Sequence, residues 1–394
     1  MSARQIMENI YAVGAIDWDR TMFDALVPLP YGTSYNAYLI KGSDKTVLID
    51  TVDPSKFHVL RDNLNDLGLD KIDYIVSNHA EQDHSGSIPD IMQLYPGAEL
   101  VVNKKGQDIL MPLMELNENR IKIVEDRETV SLGDRDLEFI FAPWVHWPET
   151  MFTYLKKDKI LFSCDLFGSH LATSQLFASN SDKILLEAKR YYAEIMMPYA
   201  SRIKKHLDTL SQFQIDLIAP SHGPVYDNPK MIIELYSEWI SDQVKNEVIV
   251  LYVTMHGSTE KIAETLASAL IRRNIPVKLL NLEVTDIGEV ALSVVDAATV
   301  IFASPAVLMG PHPYIVSAAY VLNMLKPKAK YIGIIGSYGW GNKLVNQMTE
   351  FLRDLNVEFL DPLLINGYPK AEDLREIENF TEEILNRHQI LLRN

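Results

Sequence analysis

The chain reads as two α/β domains of different kinds, an N-terminal sandwich of sheets covered by helices and a C-terminal doubly wound parallel sheet. Three observations predict this. A length of 394 residues allows two or three domains, each large enough to bury its own core. Up to about residue 245, short alternating or β-branched runs bounded by Gly, Ser and Asp dominate, with helices interspersed. From residue 246 onward, continuous apolar strands alternate regularly with helices, the pattern of a parallel sheet buried on both faces. The expected domains are therefore 1–245 and 246–394, with Lys245-Asn246-Glu247 as the linker.

Composition narrows the class. Hydrophobic residues make up 47% and charged residues 23% of the chain, as in ordinary globular proteins. The net charge of −16 is spread over the whole length, which argues against nucleic acid and anionic membranes as partners. Small molecules or docking proteins fit better. Cys164 is the only cysteine, which excludes an internal disulfide framework or a cysteine-rich metal module and suits a reducing cytosol. The start has no signal-peptide core, and no apolar run reaches the roughly 18 residues of a membrane span. A cytoplasmic protein is expected.

In the first domain, strands are expected at 10–13, 36–40 and 46–49, the last ending at Asp50. Pro54, a good first-turn residue, opens a helix to about residue 67. Tyr74-Ile75-Val76 then leads into Asn78-His79-Ala80-Glu81-Gln82-Asp83-His84-Ser85-Gly86, read as a strand-to-helix loop. Further helices are expected at 88–94 and 104–116, and strands at 99–102, 121–124, 136–141, 151–155 and 160–163. A helix at 229–244 closes the domain.

The loop at 78–86 packs two histidines and two carboxylates into six residues. Ligands at 79, 81 and 83 fan out from an irregular loop, and His84 can point to the other side, so one loop can serve two metal ions. Imidazole with carboxylate suits iron, zinc or manganese. Three more candidates follow strand ends: His146 in Ala142-Pro143-Trp144-Val145-His146-Trp147-Pro148, Asp165 after Cys164, and His222 in Pro220-Ser221-His222-Gly223. Their natural grouping is His79, Glu81 and His146 on one ion, Asp83, His84 and His222 on the other, and Asp165 as a bridge. Four neutral imidazoles and three carboxylates nearly balance two divalent cations, so the cluster can be buried. Asp50 either holds a ligand imidazole by its free N–H or forms a turn. His58, His206 and His388 are placed on surface helices with no role.

In the second domain, strands are expected at 248–253, 277–280, 299–303 and 331–335, with helices at 260–272, 287–295, 314–325, 343–354 and 371–388. Ligands of such sheets sit at the carboxyl ends of the strands. Three loops lie there. The first, with Thr254, His256, Gly257, Ser258 and Thr259, offers hydroxyls and a helix N-terminus to an anion. The second holds Ser304, Pro305, Ala306 and Val307. The third, Ser337, Tyr338, Gly339, Trp340 and Gly341, brings two aromatics able to stack on a flat ring. Neither a Gly-Lys-Ser/Thr phosphate loop nor a Gly-x-Gly-x-x-Gly fingerprint is present, so a mononucleotide is expected rather than a Mg-nucleotide or a dinucleotide.

The motif His79-x-Glu81-x-Asp83-His84, followed by His146, Asp165 and His222, resembles that of the flavodiiron protein family. The likeness extends to residues 32–39, 146–148 and 220–223 and to the second domain. It implies a metallo-β-lactamase-like first domain, a flavodoxin-like second domain, two iron ions and FMN. Glu81 stands where zinc hydrolases of that fold usually have His, and the extra oxygen ligand favours iron. The resemblance further implies reduction of O2 to water and/or NO to N2O, and a head-to-tail homodimer or a dimer of dimers. It also implies an electron donor such as a rubredoxin-like protein or a reduced deazaflavin. His170 and Tyr192 resemble family residues near the substrate pocket. Asp24 stands where some members have a His near the substrate pocket, which bears on proton supply and substrate preference there. Ala306 and Leu308 replace polar groups in the second loop, so altered flavin hydrogen bonding is expected. The rivals are a hydrolase fused to a flavodoxin-like domain and an electron carrier with a relic first domain. The Glu81 position argues against the first and the complete ligand set against both.

Overall fold

The structure, a computed structural model, describes residues 2–178 and 181–391. It separates into two compact units, Met1–Ile240 and Ser241–Asn394. The division falls before the expected linker, because the closing helix stops at Trp239 and Lys245 already opens the strand Lys245–Tyr252. Its polar first residues lie beyond the apolar part of the sheet, which is why they read as a linker. Lys245 is nonetheless paired with Ala297.

The first unit is built on two sheets. One runs in the order Arg4–Met7, Ile10–Ala12, Tyr38–Lys41, Thr46–Ile49, Tyr74–Val76, Glu99–Asn103, Ile121–Val124; the other runs Thr129–Ser131, Asp136–Phe141, Met151–Leu155, Ile160–Cys164, Leu217–Pro220. Because strand side chains alternate, each strand of the first sheet divides its apolar residues between two cores. Ile40, Val47, Ile49, Val76 and Val101 face Phe139, Met151, Leu155, Ile160 and Phe162 of the second sheet. Leu39, Leu48, Ile75, Leu100 and Val102 face the helices Phe57–Asp66, Ile88–Leu94 and Lys104–Leu113. On the outer side of the second sheet the helix Ala200–Leu210 brings His206 against Phe152. The result is the expected layering of helix, sheet, sheet and helix.

No helix was expected between 165 and 216, yet Asp182–Tyr191 and Ala200–Leu210 are helical. A π-turn at Tyr192–Met196 and a 3-10 turn at Met197–Tyr199 separate them. These turns shift the phase of the apolar residues, so no single helical period spans the segment.

The second unit holds a parallel sheet in the order Val277–Asn281, Lys245–Tyr252, Ala297–Val307, Tyr331–Tyr338, Glu358–Phe359, with Leu363–Asn366 also on Tyr331–Tyr338. This is the flavodoxin-like order. Strand Ala297–Val307 runs through the segment read as the second loop and turns back at Gly310–Pro311. His388 is buried, not on a surface: its Nδ1 lies 2.6 Å from Asn246 Oδ1 and its Nε2 2.7 Å from Thr299 Oγ1. Both partners come from strands, which is why the helix pattern alone misplaced it. Among the described residues no helix is long and apolar enough to cross a membrane.

Candidate functional site

The ligand motif begins where the strand Tyr74–Val76 ends, and its loop is tied to both sheets. Asp50 accepts from the backbone N–H (2.7 Å) and side-chain amide (3.0 Å) of Asn78, whose Oδ1 accepts from Thr153 at 2.7 Å. Asp50 therefore orients the loop, and of its two expected roles the one as holder of an imidazole is corrected. Residues Gln82–Ser85 form one helical turn rather than an open loop. That turn is pinned by Thr51 Oγ1 on His84 O and Ser85 Oγ on Ala80 O. His222 follows the strand Leu217–Pro220. Its turn requires Gly223, which has φ +79°, and a Cβ there would fall 2.1 Å from Ser169 Oγ. Asp165 follows Cys164, which is held at φ +50°.

These segments bring seven side chains together in two groups: His79, Glu81, His146 and Asp165, and Asp83, His84 and His222, with donor atoms within 4.8 Å of one another in each. Asp165 faces both. Its Oδ2 lies 3.5 Å from His79 Nε2 and 3.3 Å from His146 Nε2, and its Oδ1 lies 3.0 Å from His84 Nε2 and 3.5 Å from His222 Nε2. Glu81 Oε2 sits 3.1 Å from His79 Nε2 and 3.2 Å from His146 Nε2; Asp83 Oδ2 sits 3.2 Å from both His84 Nε2 and His222 Nε2.

Several of these contacts have ion-pair length without hydrogen-bond alignment. Both oxygens of Asp83, Asp165 Oδ1 and His84 Nε2 are buried without a hydrogen-bond partner among the described residues. Donors that converge on a common point rather than on one another fit a cation between them. The electrostatics agree. Burial disfavours a charged His79, yet Glu149 and Glu81 hold its pKa well above the usual value; Asp83 and Asp165 likewise outweigh burial and raise His84 to about 9. Burial would raise Glu81 and Asp165, but the facing histidines bring both below the usual carboxylate range. The pocket thus demands positive charge, which protons or metal ions can supply. The residues fit a dinuclear metal centre.

Around the cluster, His170 is buried with Nδ1 2.9 Å from Thr33 Oγ1 and Nε2 without a partner among the described residues; burial, then His222, holds its pKa well below the usual value. Tyr192 is not at the site. Its hydroxyl donates to Trp239 O at 3.2 Å, within a cluster of Tyr236 and Trp239. The neighbouring Tyr191 takes the place expected for it, with its ring 4.8 Å from His170 and 5.7 Å from His222. The two tyrosines lie at a junction from α-helix to π-turn, where a one-residue error selects the wrong face. Burial and the nearby carboxylates push the Tyr191 phenol pKa well up, so it stays protonated. Asp24 is raised to about 6, first by burial and then by Glu81. Sequence reasoning missed Glu149, whose Oε1 lies 2.7 Å from His79 Nδ1. Its only signal was its place three residues after His146.

In the second unit a cavity of about 310 Å³ is lined by Thr254, Met255, His256, Ser258, Thr259, Pro305, Ala306, Ser337, Tyr338, Gly339, Trp340 and Gly367. Met255 and Gly367 are additions to the sequence reading. Gly257, Ser304, Val307 and Gly341 do not line it. Gly257 instead starts the helix Ser258–Arg272 at φ +84°, with no side-chain cap on the first turn. Its own N–H donates to Thr254 Oγ1. Ser304 Oγ accepts from His312 N–H, and Leu308 is 91% exposed. Uncapped N–H groups and hydroxyls at one end fit a phosphate, and Tyr338 with the 86% exposed Trp340 fits a flat ring.

Comparison with known proteins agrees with this geometry. A family profile described as "ODP family beta lactamase" matches residues 33–223. The nitric oxide reductase of Moorella thermoacetica is 37% identical, aligned over 97% of this chain and 98% of its own length. The rubredoxin-oxygen oxidoreductase of Megalodesulfovibrio gigas is 30% identical over 98% of each. The solved structure of the flavodiiron protein from Giardia intestinalis superposes with a TM-score of 0.94 at 30% identity, covering 99% of this chain and 98% of that one. By sequence and by fold along its whole length, this chain belongs to the flavodiiron protein family.

Proposed function

We propose that the chain is an oxidoreductase that reduces O2 to water and/or NO to N2O, with two irons held by His79, Glu81, His146, Asp83, His84 and His222 about a shared Asp165, and with FMN in the aromatic-rimmed cavity. The single observation that carries this reading is the pair of donor groups facing one shared carboxylate, with buried oxygens that no described residue satisfies by a hydrogen bond. When bound, a two-electron flavin and two one-electron irons together store the four electrons that take O2 to two waters, or the two that take a pair of NO to N2O.

The chain's own residues set the conditions. Asp165 and the imidazoles fix the donors in advance, so little reorganisation accompanies reaction. Phe23, whose ring lies 5.1 Å from His170 and 6.4 Å from His222, adds an apolar face beside the cluster. His170 and the protonated Tyr191 supply polar atoms beside the cluster for a small ligand. In the second unit Thr254, Ser258 and Thr259 would hold the phosphate end of a bound FMN, and Tyr338 and Trp340 offer the aromatic faces for its ring. Ala306 offers only a methyl group to the cavity, so polar contacts at that point would have to come from backbone.

The reading extends to a cytoplasmic enzyme that works as a head-to-tail homodimer or a dimer of dimers, supplied by a rubredoxin-like protein or a reduced deazaflavin. The name of the rubredoxin-oxygen oxidoreductase relative supports the first of these donors. The test is anaerobic stopped-flow of the fully reduced, iron-loaded protein against O2 and against NO, following flavin oxidation and assaying peroxide and N2O. Rapid oxidation by O2 without peroxide identifies the four-electron reaction, and faster turnover with N2O identifies NO as substrate. Oxidation no faster than in a His79→Ala control sinks the proposal.

A further inference from the structure

The two halves of the cluster differ in what stands behind their histidines. His79 Nδ1 is 2.7 Å from Glu149 Oε1, and the same oxygen accepts from Ala80 N–H at 3.0 Å. His222 Nδ1 has only a neutral carbonyl, Ser34 O at 2.6 Å, and His84 Nδ1 has no partner among the described residues. Glu149 is held through its backbone, while its other carboxylate oxygen, Oε2, is buried without a hydrogen-bond partner among the described residues. Its side chain is 2% exposed, its carbonyl accepts from Asn103 Nδ2 at 2.5 Å, and Asn103 Oδ1 accepts from Gly106 N–H at 2.8 Å in the first turn of Lys104–Leu113. That helix start favours a negative charge beside it.

We propose that Glu149 is a positioning residue that makes the two metal positions inequivalent: its carboxylate fixes the His79 tautomer, strengthens His79 as a donor, and lowers the reduction potential on the His79 side. This rests on the diiron reading above. The physical chain is short. An anion that accepts the Nδ1 proton leaves Nε2 as the donor atom, and Nε2 is the atom that meets Glu81 and Asp165. A hydrogen bond to a charged acceptor is stronger than one to a carbonyl, so electron density on Nε2 rises most at His79. A more basic ligand stabilises the higher oxidation state. In the half served by His84 and His222 no described carboxylate accepts from an Nδ1; the buried Asp50 acts on His84 through space, without a hydrogen bond.

The experiment uses the full chain loaded with iron and FMN, as wild type, Glu149→Gln and Glu149→Asp. Redox titration followed by Mössbauer and EPR spectroscopy reads the two iron midpoints separately, and a chelator challenge reads iron release. In Glu149→Gln one midpoint should move upward while the other stays, and one iron should leave about 10- to 100-fold more readily. Glu149→Asp, which keeps the charge, should recover most of both effects. Unchanged midpoints and release, or equal shifts of both midpoints, overturn the proposal, since a merely structural Glu149 is replaced without cost by the isosteric amide. Should Glu149→Gln fail to fold, nitrogen NMR of the zinc-loaded wild type decides. A proton on His79 Nδ1 that exchanges slowly supports the proposal, and a bare Nδ1 overturns it. A wild-type protein that binds no iron would instead sink the diiron reading itself.

Discussion

In the first unit the chemistry-bearing side chains are sunk into the fold, and in the second they run from its interior to its rim. His79, Asp83, His84, Asp165 and His222 are each no more than 4% exposed, whereas the second site spans Thr259 at 1% to Trp340 at 86%. The first set is imidazole and carboxylate, costly to bury without a countercharge; the second is hydroxyl, backbone N–H and aromatic face, which solvent or ligand can satisfy equally. The backbone differs too. Asp24, Ala25, Asp50, Trp144, Cys164 and Phe167 all have positive φ in the first unit, each at a cost of about 1 kcal/mol or more. In the second unit Asn274, Leu308, Met309 and Lys326 do so, and none of them lines the cavity. A site that must place several fixed donors about one point is built on a rigid and locally strained frame. A site that clasps a ring uses strand ends that any sheet of this topology provides.

That contrast can be broken at its strongest point. Asp165→Ala removes the one group that faces both halves, so both metal positions should be lost together. Iron content should fall to background, and flavin oxidation by O2 should slow by at least the about 100-fold that loss of an outer-shell partner can cost, while FMN content stays unchanged. Retention of one iron per chain by elemental analysis would show the halves to be independent.

The second unit has its own buried titratable group. His388 is lowered to about 4 by burial, so the folded unit requires it neutral. Its folded pKa is below the unfolded value, hence its stabilising effect is complete above about pH 6.5 and is lost as pH falls toward 4. With partial solvent screening, the loss should be about 2 kcal/mol. FMN-release melting curves between pH 7 and 4.5 should show this slope, and His388→Gln should flatten it; an unchanged slope in the variant would remove His388 as its source.

A smaller effect is expected at the rim. Trp340→Ala should weaken FMN binding about tenfold, as loss of one stacking partner implies, with iron content unchanged. Fluorescence titration of the flavin-stripped protein measures this, and wild-type affinity would mean that Trp340 does not touch the ring. The smallest change separates the neighbouring tyrosines. Tyr192→Phe should cost about 1 kcal/mol of stability through its lost hydrogen bond and leave gas reactivity alone. Tyr191→Phe should alter reactivity with little effect on melting. The reverse pattern, read by thermal unfolding and stopped-flow, would restore Tyr192 to the pocket.

The sequence by itself determined the layering of both units and brought forward all seven members of the cluster. Strand periodicity sorts residues such as Leu39 and Ile40 to opposite cores with no tertiary information, and a dense ligand motif such as 79–84 is rare enough to stand out. It also indicated the three strand-end segments of the second unit, since parallel sheets place ligands there. Tertiary structure alone decided the partners. Asp50 and Glu149 are both acids beside apolar runs, yet one orients the Asn78 loop and the other backs His79. Tyr191 and Tyr192 differ only in which side of a π-turn they face. His388 looked like a surface residue until two strands met it. Local pattern fixes which face of an element is apolar, but a hydrogen bond between residues some 70 or 140 positions apart depends on where those elements cross, and no local period encodes that.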